Sequence, residues 1–129
     1  MYCLDSDVII LFFRGDEKIR KRLLIVNPED IFITAISLCE LFKGAHKSKN
    51  SKTNLDLIHE ILNNYKLLSL DAKSSEIYGI DFNKLQKMGK QTQVLDLMIA
   101  SIAKAKGLVL VTRNKKHFEN IPDLKVEEW

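Results

Sequence analysis

The sequence predicts an α/β fold, a mostly parallel sheet covered by helices on both faces to give three layers. Three observations predict it. Short runs rich in β-branched and aromatic residues ("MYCLD", "DIFITAI", "KLLSL", "LVLVT", "LKVEEW") alternate with longer segments of helical apolar spacing. Capping residues and glycines fall between these segments, where helices should start and stop. The chain of 129 residues, with only two prolines and nearly half its residues apolar, suits one domain with a real core, 1–129, and has no internal repeat or linker. Strands separated by helices pair through crossovers, which makes the sheet mostly parallel.

In chain order, "MYCLD" is a short strand, and Ser6 or Asp7 caps a helix "VIILFFR" that Gly15 ends. A second helix starts from Asp16, runs through "EKIRKRLLIV" and stops at Asn27-Pro28. "DIFITAI" reads as a buried strand and "SLCELFKGA" as the helix behind it. The Lys-, Ser- and Asn-rich stretch to Asn54 reads as a polar loop or hairpin tip. "LDLIHEILNNY" then places Leu55, Ile58, Ile61 and Leu62 at helical spacing. "KLLSL" is a third strand, Asp71 caps a helix to Gly89, and "TQVLDLMIASIAKA" is a further helix stopped by Gly107. "LVLVT" is the most strand-like run, "NKKHFENI" a short helical turn, and "LKVEEW" a final strand.

Composition excludes several classes. A net charge of +3 does not by itself require a nucleic-acid partner, although basic residues cluster at 18–22, 43–52, 84–90 and 113–116. Cys3 and Cys39 lack metal-ribbon spacing and are expected as buried free thiols in a reducing cytosol. No leader pattern opens the chain and no apolar run nears the roughly 20 residues that span a bilayer, so a cytoplasmic protein with no membrane partner is expected.

The acids carry the functional signal. In an open parallel sheet, ligands bind beyond the carboxyl ends of the strands. Asp5 ends the first strand, Glu40 falls in the first turn of the helix after the second, Asp96 starts the helix that feeds the fourth, and Asn114 follows that strand. Each has a local explanation as well. Ser37-Leu-Cys-Glu40 spells a capping box, Asp96 suits a helix dipole, and Asp5 and Asp7 suit caps. Yet Glu40 interrupts "ISLCELF" and Asp96 interrupts "VLDLMIAS", both otherwise apolar. Converging carboxylates repel unless a cation compensates, and oxygen-only ligands suit Mg2+ or Mn2+ rather than zinc. His46, His59 and His117 show no ligand spacing, and His117 reads as a surface residue.

Four blocks, "LDSDVII", "ITAISLCEL", "DLMIASIAKAKGLVLVTRN" and "HFENIPDLKVEEW", resemble the PIN-domain ribonucleases, and within them the VapC-type toxins of toxin–antitoxin pairs. The resemblance implies a three-layer α/β/α sandwich with a five-stranded parallel sheet. It also implies an acidic site on Asp5, Glu40 and Asp96, with Asn114 at a fourth position that is often acidic. Asp7 stands where relatives commonly carry Asn, which adds a carboxylate beside the metal. Ser6 and Thr112 match hydroxyl positions that orient the acids, and Arg113 a position that touches phosphate. A metal-dependent endoribonuclease that leaves 5′-phosphate and 3′-hydroxyl ends is implied, together with structured RNA such as tRNA or ribosomal RNA as substrate. A homodimer and a cognate VapB-type antitoxin are implied as partners.

An acidic site repels RNA, so basic rims must hold the backbone, and Lys43, Lys47, Lys49 and Lys52 after the Glu40 helix are the candidates. Two rivals remain. "LDSDVI" also fits the opening of haloacid-dehalogenase-type phosphatases, with Asp5 as nucleophile, but no late acidic pair follows "LVLVTRN". A catalytically silent PIN fold that binds RNA or protein would explain Asn114.

Overall fold

The computed structural model describes residues 1–129. The elements are β1 (Tyr2–Leu4), α1 (Ser6–Phe13), α2 (Glu17–Ile25), β2 (Ile31–Thr34), α3 (Ala35–Lys47), α4 (Ser51–Asn64), β3 (Lys66–Leu68), α5 (Ala72–Lys87), α6 (Val94–Ala105), β4 (Val109–Val111) and β5 (Val126–Glu127). Single 3₁₀ turns cover Pro28–Asp30 and Lys115–His117. All five strands are parallel, in the order β3-β2-β1-β4-β5. The chain therefore winds outward from β1 through β2 to β3, then crosses to β4 and β5. Their divergence leaves a crevice at the carboxyl ends of β1 and β4.

The period-2 alternation of the strands sorts the core into two layers. Leu4, Ile31, Ile33 and Val111 face α1 to α4 and pack with Val8, Ile9, Leu41, Ile58 and Ile61. Cys3 and Leu110 face the other way, onto Leu85, Leu97, Ala100, Ala103 and Phe118. Helix α6 is buried nearly all round, so its apolar residues fill the space between the sheet and α5. Helices α5 and α6 form an antiparallel hairpin. Asp71, the α5 cap, meets Lys106 beyond the end of α6 at 2.8 Å, and Lys104 reaches Asp81 at 2.6 Å.

Several boundaries differ from the sequence reading. Asp5, rather than Ser6 or Asp7, caps α1. The strand read from "DIFITAI" ends at Thr34, which caps α3 through the Ser37 N–H at 2.9 Å. Ser37 is thus the third residue of α3, no Ser37–Glu40 capping box forms, and Glu40 lies in the second turn. The supposed loop to Asn54 shrinks to Ser48–Asn50, because α3 runs on to Lys47 and α4 starts at Ser51. Cys3 is buried, with its thiol pushed up to about 12 by burial and by the Asp5 charge, whereas Cys39 is exposed. Asp71 caps α5 in a box with Ser74, and Gly15 and Gly107 take positive φ just past their helices, as expected. No helix is long and apolar enough to cross a membrane.

Candidate active site

Strand β1 delivers the first two acids. The Asp5 N–H still donates to Val111 O at 2.9 Å, so the ladder between β1 and β4 holds the residue in place. Asp5 Oδ1 accepts from the Ser6 N–H at 2.8 Å, and Oδ2 accepts from Thr112 Oγ1 at 2.9 Å. Asp7, one residue into α1, turns back toward the end of β4. Its Oδ2 accepts from the Arg113 N–H at 3.0 Å and lies 3.2 Å from the same Thr112 hydroxyl. A threonine hydroxyl has one hydrogen, so it cannot satisfy both carboxylates at once. The other Asp7 oxygen, Oδ1, is buried and has no partner.

Glu40 joins from α3, where its Oε2 accepts from Ser6 Oγ at 2.7 Å and so links that helix to the start of α1. Asp96 is the third residue of α6 and is largely buried. Its Oδ2 lies 3.1 Å from His117 Nδ1 but is off the hydrogen-bonding direction and has no other donor. The contact is an ion pair when the imidazole is protonated. A neutral imidazole with its proton on Nδ1 can also turn to donate there.

The four acids from three regions of the chain form one electrostatic site. Burial pushes Asp5 up to about 7, helped by the charges of Asp7 and Glu40 against the Thr112 and Ser6 hydrogen bonds. Burial likewise raises Asp7, over the opposing Arg113 and Thr112 donors. Asp96 is raised by burial first and by repulsion from Glu40 and Asp7, with His117 opposing. Negative charge here exceeds the donors that could compensate it.

No three His, Cys, Asp or Glu side chains are already close enough to grip one ion. The acids instead stand with their own hydroxyl, amide and imidazole neighbours. Two buried carboxylate oxygens without partners and an all-oxygen set of acids are the chemistry that suits a hard divalent cation. Asp5, Asp7, Glu40 and Asp96 are the residues that would hold it.

The remaining candidates divide. Ser6 and Thr112 hold acids, as the resemblance implies. The Arg113 side chain turns to the terminal segment while its charge still acts on Asp7. Its Nη1 donates to the Trp129 main-chain oxygen at 2.6 Å and its Nε lies 3.6 Å from Glu128. Trp129 is itself packed edge-on to Tyr2 and lies beneath Arg22, so Arg113 ties the β4 end to the terminal segment. Asn114 is exposed, and its N–H donates to Thr112 Oγ1 at 3.1 Å. Lys43, Lys47, Lys49 and Lys52 are all exposed. Helical spacing puts Lys43 and Lys47 on the Glu40 side of α3, whereas Lys49 lies in the turn after α3 and Lys52 in the first turn of α4. His117 is exposed, as its reading as a surface residue expects, and it also contacts Asp96. The buried Phe118 beside it anchors the 3₁₀ turn in the core, and an apolar anchor next to a polar residue was the only signal in the sequence.

The PIN-domain family matches residues 2–124. The tRNA(fMet)-specific endonuclease VapC of Salmonella typhimurium is 32% identical over 129 residues, covering 99% of this chain and 97% of that protein. The chain belongs to the PIN-domain family, in its VapC-type branch. Ribonuclease VapC2 of Rickettsia felis is 31% identical over 131 residues, covering 100% and 98% of the two chains. The crystal structure of VapBC2 from Rickettsia felis bound to promoter DNA superposes with a TM-score of 0.92 at 30% identity, covering 99% of this chain and 98% of that one. A VapC-type PIN domain leaves no place for the phosphatase reading of Asp5.

Proposed function

We propose that the protein is a metal-dependent endoribonuclease, the toxin of a toxin–antitoxin pair, which hydrolyses RNA to 5′-phosphate and 3′-hydroxyl ends. The observation that carries this reading is the donor-poor cluster of Asp5, Asp7, Glu40 and Asp96 at the crevice between β1 and β4. A bound Mg2+ or Mn2+ supplies Lewis-acid polarisation of the phosphoryl oxygens and lowers the pKa of an attacking water. Asp5 and Asp96 would hold the cation, and Glu40 would assist from a position fixed by Ser6. Thr112 and the Ser6 N–H keep the Asp5 carboxylate oriented while substrate binds. Asp7 supplies the extra negative charge that the neutral Asn114 lacks. Lys43 and Lys47 hold the RNA backbone along α3 against the repulsion of the acids.

The relative named above as tRNA(fMet)-specific supports tRNA as the substrate, and the VapBC complex supports a VapB-type antitoxin as partner; a cytoplasmic homodimer is the working assembly in this reading. Incubating the protein with total tRNA and Mg2+ or Mn2+ is expected to give discrete fragments that vanish with EDTA and in Asp96→Asn. Cleavage that survives both would overturn the assignment. Induction in a bacterium is expected to arrest growth for the wild type and not for Asp96→Asn. Asn114 favours one second reading, a silent module, which predicts RNA binding without cleavage in either metal.

His117 is a positioning residue in this scheme, because it acts through Asp96. An Asn side chain can place an N–H where Nδ1 stands, whereas Leu cannot. Isothermal titration with Mn2+ is expected to find affinity reduced about 10- to 100-fold in His117→Leu and largely restored in His117→Asn, in line with other outer-shell partners of metal ligands.

A further inference from the structure

We propose that the recess between the end of α5 and the start of α6 binds a splayed nucleobase of the RNA, a reading that rests on the ribonuclease function and specifies how substrate is held. The recess has a volume of about 590 Å³ and is lined by Phe82, Gln86, Lys90, Gln91, Thr92 and Leu97, among others. Its position is the first argument. Leu97 directly follows Asp96 on α6, so the wall of the recess and a catalytic carboxylate are neighbouring positions at the same end of one helix. An RNA chain held at Asp96 therefore has the recess at the same end of α6.

The lining is the second argument. Phe82 is 42% exposed although it is a large apolar residue, and it stacks on Tyr78 with ring centroids 6.1 Å apart and planes 20° apart. A base added to this pair extends an existing stack, and base–aromatic stacking is the common anchor of single-stranded RNA recognition. Gln86, Gln91 and Thr92 carry both donors and acceptors, which suits the mixed edge of a base. No carboxylate lines the recess, in contrast to the adjoining acidic site. Lys104 and Lys106 lower in the hairpin are held by Asp81 and Asp71, but Lys90 has no ion-pair partner and Lys84 and Lys87 occupy the last turn of α5. A free cation beside an aromatic and amides fits a nucleotide better than an apolar protein segment.

The test uses a fluorescein-labelled single-stranded RNA of mixed sequence, with binding read by anisotropy in EDTA so that no cleavage is needed. Phe82→Leu keeps apolar bulk but removes the stacking face, and is expected to weaken binding at least about 5-fold. Phe82→Trp is expected to bind as well as the wild type or better. Lys90→Ala is expected to weaken binding and to lower the salt slope by about one phosphate contact. Unchanged affinity in Phe82→Leu, or equal loss in Phe82→Leu and Phe82→Trp, would overturn the proposal. So would a Phe82→Leu effect confined to the sedimenting mass of the protein, which would assign the patch to self-association. Failure of the wild type to cleave RNA would overturn the ribonuclease reading without touching these binding results, so the two failures are distinguishable.

Discussion

Asp5→Asn is expected to stabilise the metal-free protein at about pH 8 while abolishing RNA cleavage. The Asp5 carboxyl is raised to about 7 in the folded chain, against about 3.9 for an unfolded aspartate. Above the folded value both states are ionised, and the native state bears the full cost of a buried charge facing Asp7 and Glu40. Between the two values the native state keeps a proton that the unfolded state has lost, so stability rises as pH falls from about 7 toward about 4. The gain is on the order of 4 kcal/mol, or roughly 15 °C in Tm for a chain of this size. Asn fits the same hydrogen bonds. Its oxygen still accepts from the Ser6 N–H, and its amide can donate to Thr112 Oγ1, which frees that hydroxyl to donate to Asp7 Oδ2. Thermal melts in EDTA should therefore find the wild type more stable at about pH 5 than at about pH 8, and the variant with a weaker dependence of the same sign, carried by the raised Asp7 and Asp96. Adding Mn2+ at the higher pH should raise the Tm of the wild type alone. A wild type that loses stability steadily as pH falls from 8 to 5, with Asp5→Asn following it, would sink this account.

The layered fold was legible because strand and helix signals in this chain are strong and well punctuated. Burial of β1, β2 and β4 on both faces leaves runs such as "LVLV" with no polar member, and these read as strands without ambiguity. The misread points are places where pairing overrides local pattern. Ser37-Leu-Cys-Glu40 has the right letters for a capping box, but the parallel register sets Thr34 opposite Leu68 at the last rung of the sheet. The helix must start there, three residues earlier, and Glu40 is carried round to meet Ser6. The basic stretch after Lys43 reads as a loop because its polar residues outnumber its apolar ones. Ala45 and Ile58 nonetheless continue the buried stripes of α3 and α4, so only three residues are left to turn.

The site was legible to the extent that acids interrupting apolar runs must be explained. Asp5, Glu40 and Asp96 stood out for that reason, and the structure brings them into one electrostatic neighbourhood. Contacts set by tertiary packing were not legible. His117 lies 21 positions from Asp96, and nothing local marks it as the neighbour of a carboxylate. Arg113 looked available for phosphate because the sequence cannot show that Glu128 and Trp129 return beside β4 to engage it.

The second large effect is expected in the scaffold rather than the site. Lys104→Met should cost about 3 kcal/mol of stability, and Asp81→Asn much less, although both break the same 2.6 Å ion pair. The asymmetry follows from burial. The Asp81 side chain is 2% exposed and Lys104 is 15% exposed, so removing the lysine strands a carboxylate between α5 and α6. Removing the aspartate leaves an ammonium on a flexible stem that can reach water and can still donate to the new amide. The double variant Asp81→Leu with Lys104→Met should recover to within about 1 kcal/mol of the wild type, since a buried pair replaced by apolar groups of similar volume is often neutral. Urea denaturation of the three variants measures this directly. Because the pair braces the hairpin that presents Asp96, Lys104→Met should also lower the amount of active protein at elevated temperature without changing kcat of the folded fraction. Equal losses in the two single variants would refute the burial argument. A double variant as unstable as Lys104→Met would assign the loss to packing rather than to a stranded charge.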